Sequence, residues 1–240
     1  MSEKPTLLLF PNLLGDLPHH EPYLPASVAK AVSSCDGLIA ESEAAGRRFL
    51  SRFETKKPTR EIPIALFNEH TPLNDLDFFL EPILKGERWG LVSDAGMPCI
   101  ADPGSALVLR ARQKGIVVQA FVGPSSIFLA LMLSGLPGQR FAFHGYIPKD
   151  EQGRKTAILK LEVASTKEQT TQIFMEAPYR NKFTLESLLS NLSEETYLTV
   201  AWDLTMPTQG ILTQKVGTWK KSPLPNLEKK CAIFLLSTNI

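Results

Sequence analysis

The segment that is most informative about the fold runs from Trp89 to Val122 and reads WGLVSDAGMPCIADPGSALVLRARQKGIVVQAFV. It opens with a short apolar run, Trp89–Ser93, and closes with a second, Ile116–Val122, that is apolar or β-branched except at Gln119. Between them, Ser105–Lys114 has a helical composition and ends at Gly115, as helices often do. Strand, helix and strand in this order predict a βαβ unit with two buried, parallel strands.

The same alternation extends toward the N-terminus. Three more apolar runs are expected strands, namely Thr6–Phe10, Gly37–Ala40 and Ile62–Phe67. The expected helices are Pro25–Ser34, Ser42–Phe53 with Ser42 as its cap, a helix opened by Thr71-Pro72 that runs to about Lys85, and one that starts at Ser125. Buried strands joined by helical crossovers predict a parallel sheet with both faces covered.

The pattern changes after Gly135-Leu136-Pro137-Gly138. Beyond this point we expect helices at Arg154–Ala164 and Pro178–Asn191, and strands at Thr171–Met175, Thr196–Trp202, Gly210–Trp219 and Lys230–Ser237. The last two strands have no long helix between them, which indicates a mixed sheet. The sequence therefore predicts an α/β protein of two domains, 1–137 with a parallel sheet and 138–240 with a mixed one.

Composition excludes several classes of protein. The 240 residues include 26 Lys+Arg and 25 Asp+Glu, and a net charge of +1 does not imply whole-surface attraction to nucleic acid or membrane. Three cysteines without C-x-x-C spacing argue against a disulfide framework and fit a reducing cytosol. The four histidines lack metal-binding spacing, so no metal is expected.

One uncharged stretch, from Gly115 to Gln139, is long enough to suggest a membrane span. Gly123-Pro124-Ser125-Ser126 interrupts it, and these residues are typical of a turn and a helix cap. The N-terminal apolar run breaks at Pro11, which argues against a signal peptide. We therefore expect a soluble, cytoplasmic protein.

Three loops follow predicted strands, and in parallel sheets ligands gather at such strand ends. They are residues 11–16, 94–104 and 122–126. None contains G-x-G-x-x-G, and the chain lacks both the P-loop of nucleotide hydrolases and the G-x-S-x-G nucleophile elbow. The three loops together favour a shared pocket over three ordinary connections.

The second and third loops, with the elements that follow, resemble the S-adenosylmethionine-dependent tetrapyrrole methylase superfamily. The carrying pattern is S-D-A-G-x-P-x-x-x-D-P-G from Ser93, then V-G-P-S from Val122, then S-G-L-P-x-x-R-F from Ser134. Shorter matches are PNLLGDL, IAE, FNEH, FMEAPYR and AWDLT. Within the superfamily, the pattern is most similar to enzymes that methylate a cytidine 2′-hydroxyl in 16S ribosomal RNA. The resemblance implies two α/β domains with the cofactor cleft between them, and a homodimer.

The resemblance also implies which residues bind S-adenosylmethionine. These are Leu14, Asp94, Gly96, Met97, Pro98, Ser125, Ser126, Met175 and Trp202. A ribose acceptor needs a group that takes its proton. The candidate catalytic acids are Glu41, Glu69 and Glu176, each at or just past a predicted strand end, with His70 also in reach. The alternative for each acid is a solvated loop charge or a helix cap, and Arg180 could bind phosphate or pair with Glu176.

The chain also departs from the superfamily's ribosomal enzymes. Ser42-Glu43-Ala44 replaces their acid-Thr-Arg, and Trp202, Met206 and Gln209 replace charged residues. Three functions stay open: a ribosomal RNA methyltransferase, a methyltransferase of a tetrapyrrole or other small molecule, and a cofactor-binding protein without turnover. An RNA substrate would need local basic surface, for which the candidates are Arg47, Arg48, Arg52, Lys56, Lys57, Arg60 and the lysine pairs 220–221 and 229–230. Such runs can also be a solvated helix face.

Overall fold

A computed structural model describes residues 4–239. The chain divides into two compact units, Met1–Ser125 and Ser126–Ile240, and each unit has its own five-stranded sheet. The predicted fold class, a parallel sheet followed by a mixed one, is confirmed. Within residues 4–239, no helix has the length and apolar character that a membrane crossing requires.

The first unit alternates strands and helices. The strands are β1 (Thr6–Phe10), β2 (Gly37–Ala40), β3 (Ile64–Leu66), β4 (Trp89–Val92) and β5 (Val117–Ala120). The helices are α1 (Ala26–Val32), α2 (Glu43–Leu50), α3 (Leu76–Leu84) and α4 (Ser105–Gln113). The strand order is β3-β2-β4-β1-β5 and every neighbouring pair is parallel. All five carboxyl ends therefore lie along one edge of this sheet.

Both faces of the first sheet are covered, as predicted. Leu7 of β1 packs in a core cluster with Leu80 of α3 and Leu107 of α4. The side chain of Phe10 lies beside Phe49 of α2, with ring centroids 5.8 Å apart. Helix α2 begins as expected, because the Ser42 hydroxyl accepts a hydrogen bond from the Ala45 N–H at 3.2 Å.

Two local predictions in this unit are wrong. Strand β5 is largely exposed rather than buried, with Val117 43% exposed, because it lies at the sheet edge and pairs only with β1. Thr71-Pro72 does not cap α3, which begins at Leu76 after a short 3₁₀ turn. The Thr71 hydroxyl instead accepts from the Asn68 N–H at 2.9 Å.

The second unit contains a mixed sheet. Its strands are β6 (Phe141–Tyr146), β7 (Thr171–Glu176), β8 (Tyr197–Trp202), β9 (Gly210–Lys215) and β10 (Ala232–Ser237). Its helices are α5 (Ser126–Ser134), α6 (Glu151–Glu168), α7 (Asn181–Asn191) and α8 (Val216–Trp219). The order is β6-β7-β10-β8-β9, in which only β6 and β7 run parallel. The core between the sheet and its helices includes Phe174, Trp219 and Phe234.

The division between the units falls before α5, earlier than the sequence-based boundary at residue 137. Helix α5 packs against β8, β9 and β10 of the second unit. The Thr213 hydroxyl of β9 also donates to the carbonyl oxygen of Ser134, the last residue of α5, at 2.9 Å. These contacts make α5 part of the second unit.

Candidate functional site

A buried asparagine joins two strand-end loops of the first unit. The Asn12 side-chain amide donates to the carbonyl oxygens of Ser93 at 3.0 Å and Asp94 at 3.1 Å, and its backbone N–H donates to Gly96 at 2.7 Å. Asn12 is buried, so these bonds are shielded from competing water. The loop after β1 is thus fixed to the loop after β4. Sequence analysis did not single out Asn12, although it stands in the PNLLGDL match.

Gly96 is where three strand-end loops meet. Its φ of +69° lies in the left-handed region, which favours glycine. A Cβ at this position would lie 3.3 Å from the Leu14 side chain and 3.6 Å from the carbonyl oxygen of Pro124. The structure therefore brings together two predicted cofactor residues, Leu14 and Gly96, with the turn that precedes Ser125.

The loop after β4 is conformationally strained. Cys99 and Ala101 adopt φ of 70° and 66° without being glycine, and Gly104 has φ 135°. A Cβ at Gly104 would lie 2.7 Å from the Cys99 sulfur. Such backbone conformations cost about 1–3 kcal/mol each and are concentrated at functional sites. The same loop carries the predicted residues Asp94, Met97 and Pro98, of which Pro98 is buried, Met97 half-buried and Asp94 exposed.

Three carboxylates lie close together at this edge. The Asp94 N–H donates to Glu41 Oε1 at 3.0 Å. Burial raises the pKa of Glu41; the bond from Asp94 opposes the shift, and the charges of Asp94 and Glu69 add to it. Burial also raises the pKa of Asp102 to about 6, with help from the charge of Glu41. A nearby positive charge would therefore stabilise the ionised forms of Glu41 and Asp102. The sequence analysis did not identify Asp102.

The other two candidate acids have contrasting surroundings. The Glu69 side chain is 81% exposed and lies 3.6 Å from Nε2 of His70. Glu176, at the end of β7, is buried and accepts from the Ala177 N–H at 2.7 Å and the Thr184 hydroxyl at 2.8 Å. It also forms an ion pair with Arg180. The Glu176 carboxylate is thus enclosed by protein partners, and Arg180 pairs with it.

Trp202, the predicted cofactor contact in β8, is held by its cross-strand neighbour. Gly210 pairs with Trp202 in the β8–β9 register, and a Cβ at Gly210 would lie 2.0 Å from the indole ring. The half-buried ring therefore needs a glycine opposite it. Gln209, one of the residues that replace a charge, stabilises the loop between β8 and β9, because its Oε1 accepts a hydrogen bond from the Thr205 N–H at 2.8 Å. Met175 in β7 is half-buried and pairs in register with Ile233.

Most of the basic residues between 47 and 60 serve internal contacts. Arg47 donates to the carbonyl oxygens of Thr59 and Ile62, and Arg52 donates to that of Leu17 at 2.9 Å. Ion pairs join Lys56 to Asp36 and, at 3.9 Å, Arg60 to Glu61. In the part of the chain that the structure describes, the side chains of Arg48 and Lys57 make no hydrogen bond or ion pair.

Comparison with known proteins identifies the class to which this fold and these loops belong. The chain belongs to the family of tetrapyrrole (corrin/porphyrin) methylases, which matches residues 17–219. Among solved structures it is similar to the methyltransferase CobJ, with a TM-score of 0.63, 16% identity, and coverage of 97% of this chain and 92% of that one. It is also similar to the cobalt precorrin-4 methyltransferase CbiF, with a TM-score of 0.59, 14% identity and coverage of 97% and 95%. These two likenesses show the fold.

Closer in sequence are proteins named ribosomal RNA small subunit methyltransferase I. The one from Thermotoga maritima is 30% identical over 201 residues, 84% of this chain and 84% of its own length. The one from Vibrio cholerae is 29% identical over 218 residues, 90% of this chain and 71% of its own. The one from Escherichia coli O157:H7 is 35% identical over 150 residues, 62% of this chain, and the match spans about half (51%) of that relative. The protein is therefore a methyltransferase that uses S-adenosylmethionine as its donor.

The first unit fits such a donor, which carries a positive sulfonium, an ammonium and a carboxylate. Gly96 leaves open the space that a Cβ would fill beside Leu14. Glu41 and Asp102 supply negative charge whose burial a cation would offset. Among residues 4–239, no three His, Cys, Asp or Glu side chains are grouped so that they could hold a metal ion.

Proposed function

We propose that the protein transfers the methyl group of S-adenosylmethionine to a ribose 2′-hydroxyl of 16S ribosomal RNA. The observation that carries this proposal is the position of Glu41, an acid of raised pKa, hydrogen-bonded to the Asp94 N–H in the middle of the strand-end loops. The names of the relatives support ribosomal RNA as the acceptor. A ribose hydroxyl is the kind of acceptor that needs a base, which Glu41 would supply.

Binding and orientation are the main tasks of the chain, because the bound donor presents an already activated methyl group. Leu14, Gly96, Met97 and Pro98 would hold the donor with apolar and backbone contacts. Ser125 would add a contact from the turn after β5, and the resemblance assigns Ser126, Met175 and Trp202 of the second unit to the same task. The hydrogen bonds of Asn12 keep the first two loops in place.

Glu41 would act as the general base. It would take the proton of the ribose hydroxyl, while the donor, when bound, would supply the methyl group and keep the electron pair of its carbon–sulfur bond. A raised pKa makes this carboxylate a stronger base in its ionised form. Glu69 is the second candidate, and its exposure makes it the weaker one. We propose no proton transfer to Glu176, because its partners enclose it.

The experiment that tests the acceptor is a map of ribose methylation on 16S RNA from cells with and without the gene. We expect one 2′-O-methyl group to disappear and to return when the wild-type gene, but not Glu41→Gln, is supplied. Calorimetry with S-adenosylmethionine on the purified protein is the companion measurement. Cofactor binding with an unchanged RNA map would contradict the RNA acceptor and favour a small molecule. An absence of binding at millimolar cofactor would contradict methyl transfer itself.

We also propose that the protein is a cytoplasmic homodimer. Helix α5 exposes Phe128, Met132 and Leu133, and an exposed apolar face is typical of an interface. The cysteines at 35, 99 and 231 are free thiols, as expected in a reducing compartment. Analytical ultracentrifugation should give twice the chain mass, and Met132→Glu should shift the protein toward the monomer. A monomeric wild type would contradict the proposal.

A further inference from the structure

A cavity of about 150 Å³ lies within the first unit, between the loop after β1 and helix α2. Residues 12–16 form one wall, and Ala45, Arg48 and Phe49 of α2 form another. Arg52, just past the end of α2, and Asp94 complete the lining. The cavity thus adjoins two predicted cofactor residues, Leu14 and Asp94, and it is also lined by two arginines, Arg48 and Arg52, of the basic run.

The two arginines differ in what they contact. The side chain of Arg52 is mostly buried and fixed, because it donates to the carbonyl oxygen of Leu17 at 2.9 Å and lies 3.7 Å from Asp16. Arg48 is exposed and, as noted, has no partner among the described residues. Because a guanidinium carries five N–H donors, Arg48 brings an unused set of donors to the cavity wall.

Further donors come from the backbone and from Arg52. The Leu13 N–H is satisfied by the Asn12 side chain at 2.9 Å. The next three N–H groups, those of Leu14, Gly15 and Asp16, donate no hydrogen bond within residues 4–239. Nε of Arg52 is likewise buried without an acceptor. Unsatisfied backbone N–H groups beside a guanidinium are the donor set with which proteins bind oxyanions.

Two acids also face the cavity and limit what it can hold. Asp16 is exposed and lies near Arg52, so these two charges largely offset each other. The Asp94 carboxylate has no hydrogen bond or ion pair among the described residues. What remains uncompensated is one cation, Arg48, and one anion, Asp94. A ligand that brings an oxyanion to Arg48, with or without an ammonium for Asp94, satisfies this arrangement.

We propose that this cavity is an oxyanion site in which Arg48 binds a carboxylate or phosphate group. The oxyanion has two possible sources, the carboxylate of the donor's methionyl end or a phosphate of the acceptor RNA, and this choice of ligands rests on the proposed function. Either source makes Arg48 a binding residue, and it lies outside the motifs quoted in the sequence analysis. The matched control is Lys57, which is the other unpaired cation of the same segment and does not line the cavity.

The experiment compares wild type, Arg48→Ala, Arg48→Lys and Lys57→Ala, after circular dichroism has shown that each is folded. Four ligands are titrated: inorganic phosphate, S-adenosylmethionine, methylthioadenosine, which lacks the carboxylate and ammonium of the methionyl end, and a single-stranded oligoribonucleotide at two salt concentrations. A hydrogen bond between charged groups predicts a loss of about tenfold in affinity for Arg48→Ala. Arg48→Lys should retain part of the affinity, because it keeps the charge but not the forked geometry.

The pattern of losses identifies the source. If Arg48→Ala weakens binding of S-adenosylmethionine but not of methylthioadenosine, the oxyanion is the carboxylate. If it weakens RNA binding and lowers the salt slope by about one, the oxyanion is a phosphate. Unchanged affinity of Arg48→Ala for phosphate, S-adenosylmethionine and RNA overturns the proposal, and so does an RNA loss that Lys57→Ala equals when the affinity for S-adenosylmethionine is unchanged. Because wild type would still bind donor and RNA in that case, the proposed function would stand.

Discussion

Two carboxylates at the ends of parallel strands, one in each unit, have opposite surroundings. Glu41 follows β2, is half-buried, and accepts one hydrogen bond, from the Asp94 N–H. Glu176 ends β7, is buried, and is enclosed by Arg180, Thr184 and the Ala177 N–H. The sequence patterns around the two acids suggest the same role for both. Their partners suggest different ones, because a carboxylate whose lone pairs are occupied cannot accept a substrate proton.

The comparison extends to the loops that follow the strands. In the first unit, the strained loop after β4 leaves the Asp94 carboxylate unpaired and the pKa of Asp102 raised. In the second, the loop after β8 also contains left-handed residues, Asp203 and Thr205, but its carboxylate is satisfied. Asp203 accepts from Lys230 at 2.6 Å and from Thr208 at 2.7 Å. Strain together with uncompensated charge therefore distinguishes the candidate site from a merely tight turn.

Glu176→Ala tests the structural role of the enclosed carboxylate and should have the largest effect. Removal of one partner leaves the Arg180 guanidinium buried without its counter-charge, so we expect the free energy of unfolding to fall by about 3–5 kcal/mol. Urea denaturation measures this loss. The control is Glu186→Ala, an exposed acid 4.0 Å from Lys182, with an expected change within about 0.5 kcal/mol. A loss below about 1 kcal/mol for Glu176→Ala would mean that this acid is not structural.

Glu41→Gln tests the other side of the comparison. If Glu41 takes the ribose proton, single-turnover methyl transfer at saturating cofactor should slow by about a hundredfold, beyond any change in cofactor affinity. The wild-type rate should rise with pH through the raised pKa of Glu41, and the Gln variant should lose that rise. Glu69→Gln, on an exposed side chain, is the matched control and should have little effect. The reverse ranking would transfer the role to Glu69.

Asp94→Ala tests the unpaired charge of the first loop. Without this carboxylate, affinity for S-adenosylmethionine should fall about tenfold, which is the loss expected for one charged hydrogen bond. The fold should stay intact, because the structure gives the Asp94 side chain no hydrogen bond or ion pair among the described residues. Asp16→Ala, in the neighbouring loop, should cost less. Calorimetry that shows equal affinity for wild type and Asp94→Ala would remove this residue from the site.

Asp102 should make the stability of the protein depend on pH. Burial raises its folded pKa from 3.8 to about 6, so the folded state holds the proton more tightly than the unfolded chain does. Rising pH therefore favours unfolding between about pH 4 and pH 6. The urea midpoint of wild type, measured relative to Asp102→Asn, should fall across this window and stay level above about pH 7. If the difference between the two urea midpoints does not change with pH, the pKa of Asp102 is not raised in the folded protein.

Local sequence predicted the strands that are bounded by sharp signals. Strands β1 and β2 match the expected Thr6–Phe10 and Gly37–Ala40, because proline, glycine and polar residues close their apolar runs. Strand β6 was not predicted, and β5 was wrongly expected to be buried. Both are edge strands whose burial depends on their neighbours rather than on their composition. The place of a strand in a sheet is not encoded in its own residues.

The site was predictable to the extent that its residues lie in continuous motifs. The loops that contain Asp94 and Gly96 stand out in the sequence, and the structure brings Gly96 beside Leu14. Asn12 and Asp102 also lie in quoted motifs, but their roles were not predictable, because they come from a hydrogen bond between residues 81 positions apart and from burial. The separate roles of the basic residues from Arg47 to Arg60 were not predictable either, because contacts such as those of Arg47 with Thr59 and Ile62 depend on the fold.

The central place of β1 in its sheet has a consequence for synthesis on the ribosome. Strand β1 is made first, but it lies between β4 and β5, the last two strands of its sheet. Its two strand partners are complete only when the chain has grown past residue 92 for β4 and past residue 120 for β5. Closing such a long segment is entropically costly and slows folding. In the nascent first unit, β1 therefore lacks both of its neighbouring strands until these later segments have been made.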